Sequence, residues 1–176
     1  EGGRRRQAAR NIVPPLIAPA GRSRLMRELR DHVKQLAPHE APVLIVGEPG
    51  TGREAFARYM HSLSPHADAP FVTAVAGALN GEGAEAVLYG SESGGVVRKG
   101  LLEQAERGVL FINELGDLGP SAQRLLFSAI DAGTFTRVGG STPVRFEARI
   151  ISSAQPGFEM TGAEPFRVDL LSHLHV

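Results

Sequence analysis

The chain has 176 residues, and its 19 Lys and Arg balance 19 Asp and Glu, giving a formal charge of zero. That length suits one domain with a substantial core, and the charge balance argues against a general nucleic-acid or membrane-binding surface. No cysteine is present, which excludes disulfides and thiolate metal sites, and no apolar run is long enough to span a bilayer. A soluble, cytoplasmic α/β domain is the expectation.

Residues 1–10 carry Arg4, Arg5, Arg6 and Arg10 with little apolar content, and read as a solvated tail or linker rather than a nucleic-acid arm. Residues 11–20 are rich in proline and apolar side chains and read as an extended lead-in. Ser23 is a candidate cap for a helix ending near Leu36, with Leu25, Met26, Leu29, Val33 and Leu36 on one core-facing stripe. Pro38 stops that helix. Val43–Val46 is a short apolar strand, followed by Gly47, Glu48, Pro49, Gly50, Thr51, Gly52, Arg53 and Glu54. The spacing Gly47-x-x-x-x-Gly52 between strand and helix is that of a phosphate-binding loop. There, backbone N–H groups and a helix N-terminus converge on an anion. The lysine expected after Gly52 is Arg53.

The helix after this loop should run to about Leu63, and residues 70–75 read as a second strand. A short helical piece is expected at 84–89 and another at 98–106, with Glu103 and Glu106 on a solvated face. Residues 109–112 form a third strand, ending in Asn113-Glu114. Pro120 opens a helix that ends before Gly133 and turns Leu125, Leu126, Ala129 and Ile130 inward. Residues 134–138 and 144–148 flank Gly139-Gly140-Ser141 as a hairpin, and 150–154 read as a buried strand. Buried strands alternating with helices imply a parallel sheet covered on both faces. Ligands of such sheets sit at the carboxyl ends of the strands, here Gly47, Asn113 and Gln155. His61, His66, His173 and His175 have neither a cysteine partner nor tight ligand spacing, so no metal site is expected from them.

Several ordered segments resemble the central AAA+ ATPase domain of bacterial enhancer-binding proteins, the NtrC-type activators of sigma-54 RNA polymerase. GEPGTGRE is similar to that family's GESGTGKE. FARYMHSLSPHADAPFV, LLEQAERGVLFINELGDL, QRLLFSAIDAGTFTRVGG, RIISSAQ and PFRVDLLSHLHV continue the match in order. The resemblance implies a three-layer α/β/α P-loop fold over residues 21–176, preceded by a 1–20 tail and cut before the family's helical lid. It implies nucleotide contact by Gly47, Glu48, Pro49, Gly50, Thr51, Gly52, Arg53, Glu54 and Asn113. Glu114 would polarise the attacking water and Arg167 would be an arginine finger offered to a neighbouring subunit. ATP or ADP with Mg2+ would be the cofactor.

The departures from the family are specific. Arg53 replaces a compact ammonium with a planar fork. Asn113 replaces the magnesium-holding Asp, so the metal site is weakened or lost. Val75 replaces the asparagine that switches the glutamate, Ala154-Gln155 replaces the sensor Thr-Asn pair, and His173 stands where a second finger would be. The GAFTGA loop that contacts sigma-54 is absent between Glu92 and Gly100, as in the NtrX-type branch. These departures favour a degenerate regulatory domain of a two-component, DNA-binding transcription factor, with weak or lost nucleotide turnover. Its work would be self-association and coupling of flanking domains. It would reach DNA only through a C-terminal domain outside this chain, and sigma-54 contact is not expected. The alternative is an active ATPase in which Glu114 and Arg167 work as in the family to remodel sigma-54 polymerase.

Overall fold

The computed structural model describes residues 24–160 and 166–174. The tail at 1–20 and the cap expected at Ser23 lie outside them. Helix α1 (Arg24–Leu36) leads to strand β1 (Val43–Val46), the glycine loop and helix α2 (Arg53–Ser62). Then come β2 (Phe71–Val75), α3 (Ala84–Tyr89), the hairpin strands β3 (Gly90–Ser93) and β4 (Val96–Lys99), α4 (Leu101–Gln104) and β5 (Val109–Asn113). Helix α5 (Pro120–Ala132), the second hairpin β6 (Thr134–Thr136) and β7 (Pro143–Arg145), β8 (Arg149–Ala154) and α6 (Val168–Leu174) complete the order.

The central sheet has four strands in the order β1-β8-β5-β2, and every pairing in it is parallel. Successive side chains of a strand point to opposite faces, so a strand buried on both sides is apolar throughout. Strand β5 follows this rule. Val109 and Phe111 join α1 and α2 in one core with Val33, Phe56 and Met60. Leu110 and Ile112 join the other core, with Leu88, Leu102, Leu126 and Leu170 from the helices beyond. The result is the expected three-layer α/β/α arrangement. The stripe on α1 is narrower than the periodicity suggests. Val33 is buried and Met26 and Leu36 pack against the core, but Leu29 is exposed.

Strand β8 begins at Arg149, whose guanidinium closes the far end of α1. It donates to the carbonyls of Leu36 (3.0 Å), Ala37 (3.1 Å) and Ala41 (3.1 Å). The last carbonyls of a helix have no partner within it, and a cation there also opposes the helix dipole. Arg149→Ala should therefore lower stability by about 2 kcal/mol, as hydrogen bonds to a charged group are lost, and chemical denaturation would measure it.

The helix expected at 84–89 is present, but residues 90–106 fold differently from the expectation. The chain turns at Gly94-Gly95, both at positive φ, and β3 pairs antiparallel with β4. Two consecutive left-handed residues are what a tight two-residue hairpin needs. The helix expected at 98–106 shrinks to α4 because Arg98 and Lys99 belong to β4. Glu103 is not on a solvated face either. Its carboxylate takes Nε (2.9 Å) and Nη2 (2.5 Å) of Arg137, whose Nη1 reaches Glu92 at 2.6 Å. With Val138 exchanging backbone hydrogen bonds with Glu92 and Gly90, this arginine joins both hairpins and α4 into one block. The same hydrogen bond holds the Glu103 carboxyl below its ordinary value.

Candidate functional site

The glycine loop lies where β1 ends. The Gly47 N–H continues the ladder by donating to Ala154 O at 2.9 Å. The Thr51 hydroxyl donates to Glu48 O at 2.6 Å, which folds the loop on itself. Gly50 and Gly52 both have φ of 84° with nothing within 4 Å of where a Cβ would stand. This backbone suits glycine, and the open space above it is what a phosphate cradle requires. Glu48, Pro49, Gly50, Thr51 and Gly52 are exposed, whereas Arg53 is 9% exposed.

Arg53 opens α2 and its side chain folds back over the loop. Nη1 donates to Gly47 O at 3.1 Å, and Nη2 forms an ion pair with Glu114 Oε1. Glu114 directly follows β5 in a left-handed conformation with φ of 59°, a backbone state uncommon outside glycine and frequent at functional sites. Its other oxygen faces Gln155 Nε2 at 3.4 Å. Asn113, at the end of β5, accepts the Ser153 hydroxyl proton on Oδ1 at 2.9 Å. The Glu114 N–H in turn donates to Ser153 Oγ at 3.1 Å. Glu54 leaves the group: it accepts from Thr73 Oγ1 at 3.3 Å and lies 3.5 Å from Arg58 Nη2.

The fold thus gathers Gly47, Arg53, Asn113, Glu114 and Gln155 at one end of the sheet. Arg167 is elsewhere. It pairs with Asp169 at 2.7 Å, lies over the Phe127 ring at 4.9 Å, and donates its backbone N–H to Gln123 at 2.9 Å. Asp169 holds the Arg167 guanidinium above its ordinary value, and Arg167 holds Asp169 below its own. Val75, paired in register with Asn113, is exposed and offers Glu114 no polar partner. Ser153 is the site residue that sequence reasoning missed. Two consecutive serines within an otherwise apolar strand, both fully buried, are the signal that was available.

A cavity of about 600 Å³ opens at the opposite end of the sheet, beneath His39, His61, His66, Arg107 and Arg149. His66 Nε2 there lies 3.1 Å from Glu40, and Arg107 lies 3.9 Å from Glu147. His61 there is buried, its Nε2 is 2.8 Å from Ala69 O, and its Nδ1 has no partner among the described residues. Burial therefore holds the imidazole below its ordinary value of 6.5. The unfolded chain then binds the proton more readily, so stability should fall as pH drops below that value of 6.5. His61→Gln should flatten this acid limb in urea melts run across pH.

A strand, a glycine loop and a helix on a parallel sheet between helical layers, with an acidic residue just beyond the buried strand one place removed in the sheet, define a P-loop domain of the AAA+ type. The chain belongs to the sigma-54 interaction domain family, whose model matches residues 20–176. It is 38% identical over 162 residues to the nitrogen fixation protein AnfA of Azotobacter vinelandii, covering 89% of this chain and 30% of that protein. It is 36% identical over 171 residues to the DNA-binding transcriptional regulator NtrC of Klebsiella pneumoniae, covering 94% of this chain and 36% of that one. Among solved structures, NtrX from Brucella abortus in complex with ADP superposes with a TM-score of 0.86 at 32% identity, over 99% of this chain and 40% of that one. The ATP complex of the same protein gives 0.85 at 32% identity, over 98% of this chain and 40% of that one. The chain thus spans about a third of the length of the curated relatives it matches. No helix among the described residues is long and apolar enough to cross a membrane.

Proposed function

We infer that this domain is the nucleotide-responsive, weakly or non-hydrolysing core of a cytoplasmic transcriptional regulator of the two-component type. The carrying observation is the Arg53–Glu114 ion pair. A glutamate that activates water must offer a free carboxylate to it. Here one oxygen of Glu114 is held by Arg53 and the other faces Gln155. Val75 cannot act as an alternative holder that would release the glutamate. The loop, with Arg53 and Asn113, supports binding of ATP or ADP, which the NtrX complexes show for a relative. The loop backbone, the start of α2 and the Arg53 guanidinium would hold the phosphates.

On this reading the whole protein works by self-association and by relaying a signal between flanking domains. DNA is reached through a domain beyond this chain. The direct passage from β3 to β4 through Gly94 and Gly95 supports leaving remodelling of that polymerase out of the proposal. Arg167, tied to its own chain by Asp169, supports a structural more than a trans-acting role.

Phosphate release by the full-length protein tests this. The expected result is turnover at the background of the assay, with activity appearing when Arg53→Lys and Asn113→Asp are combined. Steady hydrolysis by the unaltered protein that Glu114→Gln abolishes would establish the active-ATPase alternative instead.

A further inference from the structure

The family's nucleotide chemistry includes magnesium, and the donors at this site do not fit it. A hard cation of that size needs several free oxygens in near-octahedral array. The Asn113 oxygen accepts the Ser153 hydroxyl proton at 2.9 Å. Ser153 is fully buried and already accepts the Glu114 N–H at 3.1 Å, so its own proton is available to Asn113 and has no route to water. This order turns the carbonyl oxygen of Asn113 toward β8 and leaves its NH2, which can only donate, for whatever lies at the strand end. Of the Glu114 oxygens, one is paired with Arg53 and the other faces Gln155. Glu54 is engaged by Thr73 and Arg58.

The nitrogen donors of the site, which disfavour a cation, favour a bare polyphosphate. A guanidinium, an amide NH2, loop N–H groups and the N-terminus of a ten-residue helix all present nitrogen-bound protons. We propose that this site takes a metal-free nucleoside di- or triphosphate, held by nitrogen donors alone, with Ser153 as the positioning residue that sets Asn113 as a donor. The proposal rests on the nucleotide-site reading above and specifies the ionic form of the ligand. It also gives that reading a physical cause: without a metal bridging the terminal phosphates, the ligand binds and is not cleaved.

Calorimetric titration of the full-length protein with ATP and with ADP, first in MgCl2 and then in EDTA, tests it. The expected dissociation constants agree within about twofold between the two conditions. Asn113→Asp should weaken binding in EDTA and gain about tenfold from magnesium, since a carboxylate repels the phosphate unless a cation lies between them. Ser153→Ala, which frees the Asn113 oxygen, should gain a smaller magnesium sensitivity. Binding by the unaltered protein in MgCl2 that vanishes in EDTA would overturn the metal-free inference and leave the nucleotide-site reading standing. Absence of binding in both conditions, by protein shown folded by circular dichroism, would overturn both. A Ser153→Ala protein as insensitive to magnesium as the parent would overturn the positioning role.

Discussion

Glu114→Ala should lower the stability of the nucleotide-free protein by about 3 kcal/mol, because it leaves the Arg53 charge buried without its partner. Arg53 is 9% exposed, and among the described residues its other side-chain hydrogen bond is to Gly47 O. The same change should tighten ATP binding by about tenfold, since the Arg53 guanidinium would no longer share its charge between the carboxylate and the phosphates. Urea denaturation and calorimetry read the two effects separately. Stability lost with ATP affinity unchanged would mean that Arg53 does not reach the phosphates. The opposite signs of the two effects are the signature of a group that binds the same cation as the ligand does.

Phe111→Ala should cost about 4 kcal/mol, the transfer and cavity cost of emptying a fully packed aromatic site. Phe111 is fully buried in β5, its ring stacked on Phe71 with centroids 5.8 Å apart. It packs among residues of α1, α2 and β8. Two positions further along the same strand is Asn113, so a strand that shifts to fill the cavity also displaces Asn113 and Glu114. Loss of nucleotide binding should therefore accompany the drop in denaturation midpoint. A change under about 1 kcal/mol would mean that the face of the sheet under α1 and α2 is not the close-packed layer described.

The parts of the fold that could be read from sequence are those whose pattern is local. Val109–Asn113 and Arg149–Ala154 stand out because a strand buried on both faces is a short apolar run between glycines or polar ends, and the half-buried edge strand Val43–Val46 stands out as an apolar run before the glycine loop. The loop from Gly47 to Gly52 stands out by spacing, and Pro120 and Gly133 mark the ends of α5. The β3–β4 hairpin was not legible as strands. Ser91, Glu92, Arg98 and Lys99 carry no alternation, and its pairing with the neighbouring hairpin runs through the backbone of Gly90, Glu92 and Val138. Glu103 looked solvated because its partner Arg137 is 34 residues away.

Distance along the chain also explains what the sequence hid at the site. Arg53 and Asn113 are visible in the sequence as two separate departures from a pattern. Arg53 meets Glu114 across 61 residues, and Asn113 meets Ser153 across 40. Both contacts are set by the strand order that places β8 between β1 and β5. Substituting lysine by arginine reads from sequence as a change of shape with charge kept. In the fold it becomes a change of partner, because a long planar fork can hold Gly47 O and Glu114 together.

The two opposite charges of this site, Arg53 and Glu114, are committed to each other. A double-mutant cycle of Arg53→Ala and Glu114→Ala, followed by urea denaturation without nucleotide, tests it most directly. The account predicts a coupling energy of about 2 kcal/mol, with the double variant more stable than the sum of the single losses implies. Additive losses, with no coupling between the two positions, would contradict it and leave Glu114 free to act on water.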